Sequence, residues 1–137
     1  MDERGGATAR GGDVLVVDDH ALILEFVRAV LEGAGDAVRT AGDGAVALRL
    51  ALEAQPAVIL LDLRLPGMDG RQFLAAYRRQ PGPHAPVVLM TAVGDMEPYA
   101  AEAGAAGHLR KPFRVADLLA VVGRYAPPPD RPLDALG

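Results

Sequence analysis

Three aspartates, a threonine and the only lysine of the chain each stand where a short expected strand ends. Val14–Val17 leads into Asp18 and Asp19, Val58–Leu61 into Asp62, and Val87–Met90 into Thr91, while His108–Arg110 leads into Lys111. Brought together, three carboxylates raise one another's pKa or draw in a cation. A hard divalent ion with oxygen ligands relieves that repulsion, and Mg²⁺ suits a site of few carboxylates because it keeps several waters and also takes phosphate oxygens. Lysine, itself a cation, pairs with Asp62 or with an incoming anion instead of sharing the ion's position. A threonine hydroxyl donates to an oxygen of that anion. The set is acidic, ready for a metal ion and equipped to hold a phosphoryl group. With no histidine or cysteine nucleophile at a strand end, Asp62 is the remaining candidate, through an aspartyl phosphate.

The elements that must position these residues alternate along the chain. Strands are expected at Val14–Val17, Ala37–Ala41, Val58–Leu61, Val87–Met90 and His108–Arg110. Helical spacing of apolar residues places helices at Ala21–Leu31, Ala45–Ala54, Arg71–Arg79 and Val115–Arg124, with a weak Ala-rich helix around Glu97–Ala103. Gly33 and Gly35 are candidate helix stops, and "PGMDG" and "PGPHAP" break the chain into loops. Such alternation implies a parallel sheet with helices on both faces. Right-handed crossovers restrict its topology, and ligands in such sheets sit beyond the carboxyl ends of the strands. The residues named above all fall at that rim.

Composition narrows the field. The chain has 137 residues and 50% are hydrophobic, enough for one domain with a core; aromatics are only 4%, so Ala, Val and Leu must build it. A net charge of −4 with no basic patch argues against direct nucleic-acid binding. Without cysteine there is neither a disulfide framework nor a thiolate zinc site. No apolar run reaches the roughly 18 residues of a membrane span, and Met1–Gly12 lacks the apolar centre of a signal peptide; no membrane insertion is expected, and the expected compartment is the cytoplasm. Residues 1–12 are expected to be disordered, 13–125 to form the domain, and 126–137 to be a Pro-rich tail. His20 is expected exposed at the edge of the acidic site and His84 solvated in its loop. Three histidines without a shared spacing make no nitrogen-ligand metal site.

Five motifs in order, "VDD" (Val17–Asp19), "LLDLRLPGMDG" (Leu60–Gly70), "MTA" (Met90–Ala92), "KPF" (Lys111–Phe113) and the intervening "AGDGAVAL", resemble the receiver domain of two-component response regulators, over about Asp13 to Tyr125. The resemblance is to the stand-alone, chemotaxis-regulator-like type. It implies a flavodoxin-like, doubly wound α/β fold with five parallel strands in the order 2-1-3-4-5. It implies a phosphoacceptor, not an enzyme in the ordinary sense, that takes a phosphoryl group on Asp62 with Mg²⁺ (or Mn²⁺) and loses it by self-dephosphorylation. Asp18, Asp19, Asp62 and the backbone carbonyl of Arg64 would hold the ion. Thr91 and Lys111 would hold the phosphoryl group, Thr91 and His108 would form the switch, and Pro112 would be the cis proline beside the lysine. The partner implied is a histidine kinase or a histidine phosphotransfer protein. Kinase, signal, downstream target and oligomeric state are not readable from the residues.

Two other readings stand beside this one. A degenerate receiver would serve only as an interaction module. A small nucleotide-binding module would use "GDGAVA" (Gly42–Ala47), which fits G-x-G-x-x-A after a strand, with Asp62 about 20 residues on. The chain also departs from the family: Thr91 to Lys111 is shorter by about two residues, half a helical turn, and Pro98 falls there, so a short or displaced fourth helix is expected. Arg64 places a long cation beside the site, and His108 stands where tyrosine or phenylalanine is commoner. No output domain is read after Tyr125, leaving a target-binding regulator, a phosphoryl relay or a linker to further chain.

Overall fold

The structure, a computed structural model, describes residues 13–92 and 105–126. Its elements run β1 (Val14–Val17), α1 (Ala21–Gly33), β2 (Val38–Ala41), α2 (Gly44–Glu53), β3 (Val58–Asp62), α3 (Gly70–Arg79), β4 (Val87–Thr91), β5 (Gly107–Arg110) and α4 (Val115–Tyr125). The five strands form one parallel sheet in the order β2-β1-β3-β4-β5, as expected. The helix expected around Glu97–Ala103, the shortened fourth helix and the two terminal segments lie outside the described residues.

Alternation along the strands builds a core on each face of the sheet. Leu15, Val17, Ile59, Leu61 and Leu89 point to one side and pack with Ala47 and Ala51 of α2 and Phe73, Leu74 and Tyr77 of α3. Val14, Val16, Val58, Leu60, Val88 and Met90 point to the other and pack with Val27 and Leu31 of α1 and Leu118, Val121 and Val122 of α4. β1, β3 and β4 are buried along their whole length, which is why they read as unbroken apolar runs. Each fully buried Leu or Val contributes about 1.5–3 kcal/mol relative to an exposed one.

Local chemistry sets the element ends. α1 runs two residues beyond the expected Leu31 and closes through Gly35, whose φ is +101°: the Gly35 N–H donates to the Glu32 carbonyl and the Asp36 N–H to the Leu31 carbonyl, a Schellman closure. α3 starts on a reciprocal cap, with Gln72 N–H donating to Asp69 Oδ1 and Asp69 N–H to Gln72 Oε1, both at 2.9 Å. On the edge strand β2, the Arg39 guanidinium grips both Asp13 oxygens and the carbonyls of Leu50 and Ala54. That fork ties β2 to the end of α2 and the start of β1.

Gly70 ties the fold to the rim. A Cβ there would stand 2.6 Å from Leu63 Cα and 2.7 Å from the Asp62 carbonyl oxygen, both backbone atoms. Only glycine lets α3 begin this close to the end of β3. Gly70→Ala is therefore expected to lower stability by about 1–3 kcal/mol, read as a lower urea midpoint, because the backbone of Asp62 and Leu63 must move; an unchanged midpoint would show that the approach is relaxed at no cost.

Candidate functional site

Four strand ends deliver the site. Asp18 follows β1, Asp62 ends β3, Thr91 ends β4 and Lys111 follows β5. β3 and β4 place Asp62 opposite Met90, so Thr91 lies one residue further along the neighbouring strand. The Lys111 N–H donates to the Thr91 carbonyl at 2.6 Å, which holds the start of the "KPF" segment against the end of β4. The Lys111–Pro112 bond is cis.

The side chains converge on the lysine. Its Nζ donates to Asp18 Oδ2 at 2.6 Å and to Asp62 Oδ2 at 3.2 Å. Asp18 is fully buried, and its other oxygen accepts the His20 backbone N–H at 2.9 Å. The second oxygen of Asp62 accepts the Arg64 backbone N–H at 3.0 Å. Asp18, Asp62 and Thr91 are the buried polar residues among those described. A buried carboxylate must be paired or hydrogen-bonded, and here one ammonium and two loop amides meet that need. Asp18 and Asp19 do not open α1 as an acidic first turn: that helix has no acid there, and Asp18 instead reaches across the sheet to Lys111.

Electrostatics favours a further cation. Burial pushes the Asp62 carboxyl above its ordinary value, and the charge of Asp18 adds to that, while the Arg64 amide and Lys111 pull the other way without cancelling it. For Lys111, burial alone would lower the pKa; the hydrogen bond to Asp18 and the charges of Asp62 and Asp18 outweigh it, so the ammonium is held above the usual lysine range. Asp18, Asp19 and Asp62 against Lys111 leave two negative charges that a divalent ion balances. Asp18, Asp19, His20 and Asp62 each present a ligand atom, all within 4.8 Å of one another. The residues therefore fit a divalent ion, and receiver domains bind Mg²⁺ at an acidic pocket of this kind.

The other expected residues are placed as follows. Asp19 is exposed, its side chain 39% accessible, at the open side of the cluster. Arg64 is exposed in the loop after β3. His108 lies exposed on β5, opposite Leu89. His84 is exposed, but its ring is engaged: it meets Tyr77 edge-on at 5.0 Å, and its Nε2 lies 2.8 Å from the Gln80 carbonyl oxygen. The sequence reading missed the ring of His20. It is exposed, as expected, yet its Nδ1 lies 3.1 Å from Asp18 Oδ1 and 3.3 Å from Asp19 Oδ1. Spacing among the three histidines could not show this, because the ring's partners are the two residues before it.

Within "GDGAVA", Gly44 has a packing role at the start of α2. β2 is an edge strand, and the start of α2 is capped by Asp43, which accepts the Val46 N–H at 2.8 Å. The space a Cβ of Gly44 would take is occupied by Met68, whose carbonyl oxygen would be 2.5 Å away.

Comparison with known proteins agrees with the fold. Residues 14–123 match the family described as "Response regulator receiver domain". The DNA-binding response regulator MtrA of Mycobacterium tuberculosis is 39% identical over 111 residues, covering 80% of this chain and 48% of MtrA. The DNA-binding transcriptional regulator NtrC of Escherichia coli is 38% identical over 115 residues, covering 82% of this chain and 24% of NtrC. The chain thus spans about half the length of the first of these relatives and about a quarter of the second. Among solved structures, chemotaxis response regulator CheY4 of Vibrio cholerae superimposes with a TM-score of 0.77 at 35% identity, covering 83% of this chain and 98% of that one. The receiver domain of NtrX from Brucella abortus gives 0.76 at 34% identity, covering 82% and 97%. With its sheet order, its strand-end carboxylates and a family match over most of its length, the chain belongs to the receiver domains of two-component response regulators.

Proposed function

We propose that this receiver is an active phosphoacceptor that takes a phosphoryl group on Asp62 from a histidine kinase or histidine phosphotransfer protein in the cytoplasm. The observation that carries the proposal is the Lys111 ammonium bridging Asp62 and Asp18, both buried at the rim. An oxygen of Asp62 forms the new bond to phosphorus as the bond from phosphorus to the donor's leaving group breaks, and the leaving group keeps the electron pair. Phosphoryl transfer needs mainly alignment and charge neutralisation. Lys111 exchanges its contact with Asp62 for one with a phosphoryl oxygen while remaining anchored to Asp18. Thr91, at the end of the neighbouring strand, donates its hydroxyl to a second phosphoryl oxygen. Asp18, Asp19, Asp62 and the backbone carbonyl of Arg64 would hold Mg²⁺, or Mn²⁺ in its place, which supplies neutralisation of the phosphoryl charge.

The phosphoryl group carries a charge of about −1.5 to −2, like that of ordinary phosphoresidues, in place of the single negative charge of the Asp62 carboxylate. Thr91 and Lys111 are joined through the Lys111 N–H, so a shift of either one is felt along both β4 and β5. His108, three residues before Lys111, is the aromatic residue in position to respond, and the surface built by β5 and α4 is the output face for a protein target. Water attack on the phosphoryl group returns Asp62 to its free carboxylate. The edge position of β2 and the packing of Gly44 against Met68 support the receiver reading over a nucleotide-binding module.

Incubation with acetyl phosphate, followed by intact mass, tests the proposal. One phosphoryl group is expected with Mg²⁺, none without it, and none in Asp62→Asn under either condition. Wild type that stays unmodified with both acetyl phosphate and a panel of kinases would leave the chain as an interaction module. Stability gives a second check. Because the folded-state pKa of Asp62 is raised above its ordinary 3.8, its contribution is present below that value and is lost as pH rises through the folded pKa. Without divalent ions, Asp62→Asn should therefore unfold at higher urea than wild type at pH 7, and the difference should shrink as pH falls through the carboxylate range. A gap that widens toward acid pH would contradict the assignment.

A further inference from the structure

Two helix surfaces on opposite sides of the sheet are complementary in shape and in charge. On α1, Leu22, Glu25, Phe26 and Ala29 are spaced i, i+3, i+4, i+7, so they share one face, and all four are exposed. Leu22 is the most exposed large apolar side chain among the described residues, at 78%, and Phe26 lies one turn on. Arg28, on the flank of this face, is already paired with Glu32 at 3.7 Å. On α3, Gln72, Ala75, Ala76 and Arg79 have the same spacing, and with Met68 they line an open groove of about 450 Å³. That helix carries Arg71, Arg78 and Arg79 and no acid. Cations in its last turn suit the helix dipole, but Arg71 sits in the first turn, where the dipole disfavours it. Stability of the helix therefore does not account for the whole basic row. Neither Glu25 nor Arg79 has an ion-pair partner among the described residues.

We propose that the α1 face of one copy seats in the α3 groove of a second copy of this chain. The small Ala75 and Ala76 leave room for the Leu22 and Phe26 side chains, and large against small lets two helices approach closely. The flexible Met68 adapts to their shape. Glu25 then faces the arginine row, and the opposite charges set which surfaces pair, since α1 against α1 or α3 against α3 would bring like charges together. α1 packs on the side of the sheet that holds Val27 and Leu31, and α3 on the side that holds Phe73, Leu74 and Tyr77. The contact is therefore heterologous: each copy offers one α1 face and one groove, and assembly grows head to tail. One helix in one groove is a small interface, so the association is weak and reversible. The contact uses neither Asp62 nor the acidic cluster, and it stands apart from the phosphoacceptor reading.

Sedimentation velocity of the full chain, without phosphodonor, from about 10 μM to about 1 mM covers the range expected of an interface below standard size. The mean sedimentation coefficient should rise with concentration, and the rise should shrink in about 0.5 M NaCl. Leu22→Arg removes the apolar knob of α1, and Arg79→Glu reverses the charge of the groove. Each is expected to weaken association at least about tenfold, with the far-ultraviolet circular dichroism of wild type. Mixed in equal amounts, the two variants still offer one intact groove and one intact α1 face between them, and should form one-to-one dimers that grow no further. Wild type that stays monomeric overturns the inference and leaves both faces to other proteins. Association that either variant leaves intact also overturns it, as does a mixture that stays monomeric. Loss in Leu22→Arg alone would mean that α1 pairs with a surface other than the groove.

Discussion

One ammonium holds two buried carboxylates at the rim of the sheet, and the rest of the structure is arranged around that contact. Asp18 is fully buried and Asp62 nearly so, a placement that is costly unless each charge is paired. Lys111 reaches both from a third strand end. Such a pair can survive only if β1, β3 and β5 stay in fixed register, and the two cores supply that rigidity. The arrangement is not the cheapest way to fill the space, since burial still lifts the Asp62 carboxyl above its ordinary range. A site that carries electrostatic strain of this kind is a reason to look for function.

The same constraint links the site to the surface. The Lys111 N–H is bound to the Thr91 carbonyl, so the residues that face an incoming phosphoryl group belong to the ends of two adjacent strands. Beyond Lys111 the chain passes through Phe113, whose ring lies 6.2 Å from that of Phe26 on α1, and enters α4. A change at the lysine thus has short covalent and packing routes to α1 and α4. Glycines permit the close approaches on the opposite side, where α3 starts against the end of β3 and α2 starts against Met68.

The fold was legible in the sequence to within a few residues because its signals are local. Four or five apolar residues between turn residues read as a doubly covered strand, and β1, β3 and β4 are such strands. The weaker alternation of residues 37–41 read as an edge, and β2 is one. Helix ends were less exact: α1 continues to Gly33 because the residue that closes it is Gly35, at positive φ, and two nearby glycines could not be told apart without knowing which one the backbone turns through. The strand-end residues of the site were legible for the same reason as the strands. The His20 ring was not, since a rotamer leaves no trace in spacing.

The order of apolar runs, turns and polar strand ends determined a parallel α/β sheet with acids, a threonine and a lysine at its carboxyl rim, because hydrophobic periodicity and turn chemistry act over a few residues. Only the tertiary structure decided that Lys111 bridges Asp18 and Asp62, residues 93 and 49 positions away. It also decided that Arg39 clasps Asp13 and the end of α2, and that His20 turns its nitrogen toward the acids. These choices depend on which strands become neighbours and how far their ends project, and packing of the two cores fixes both.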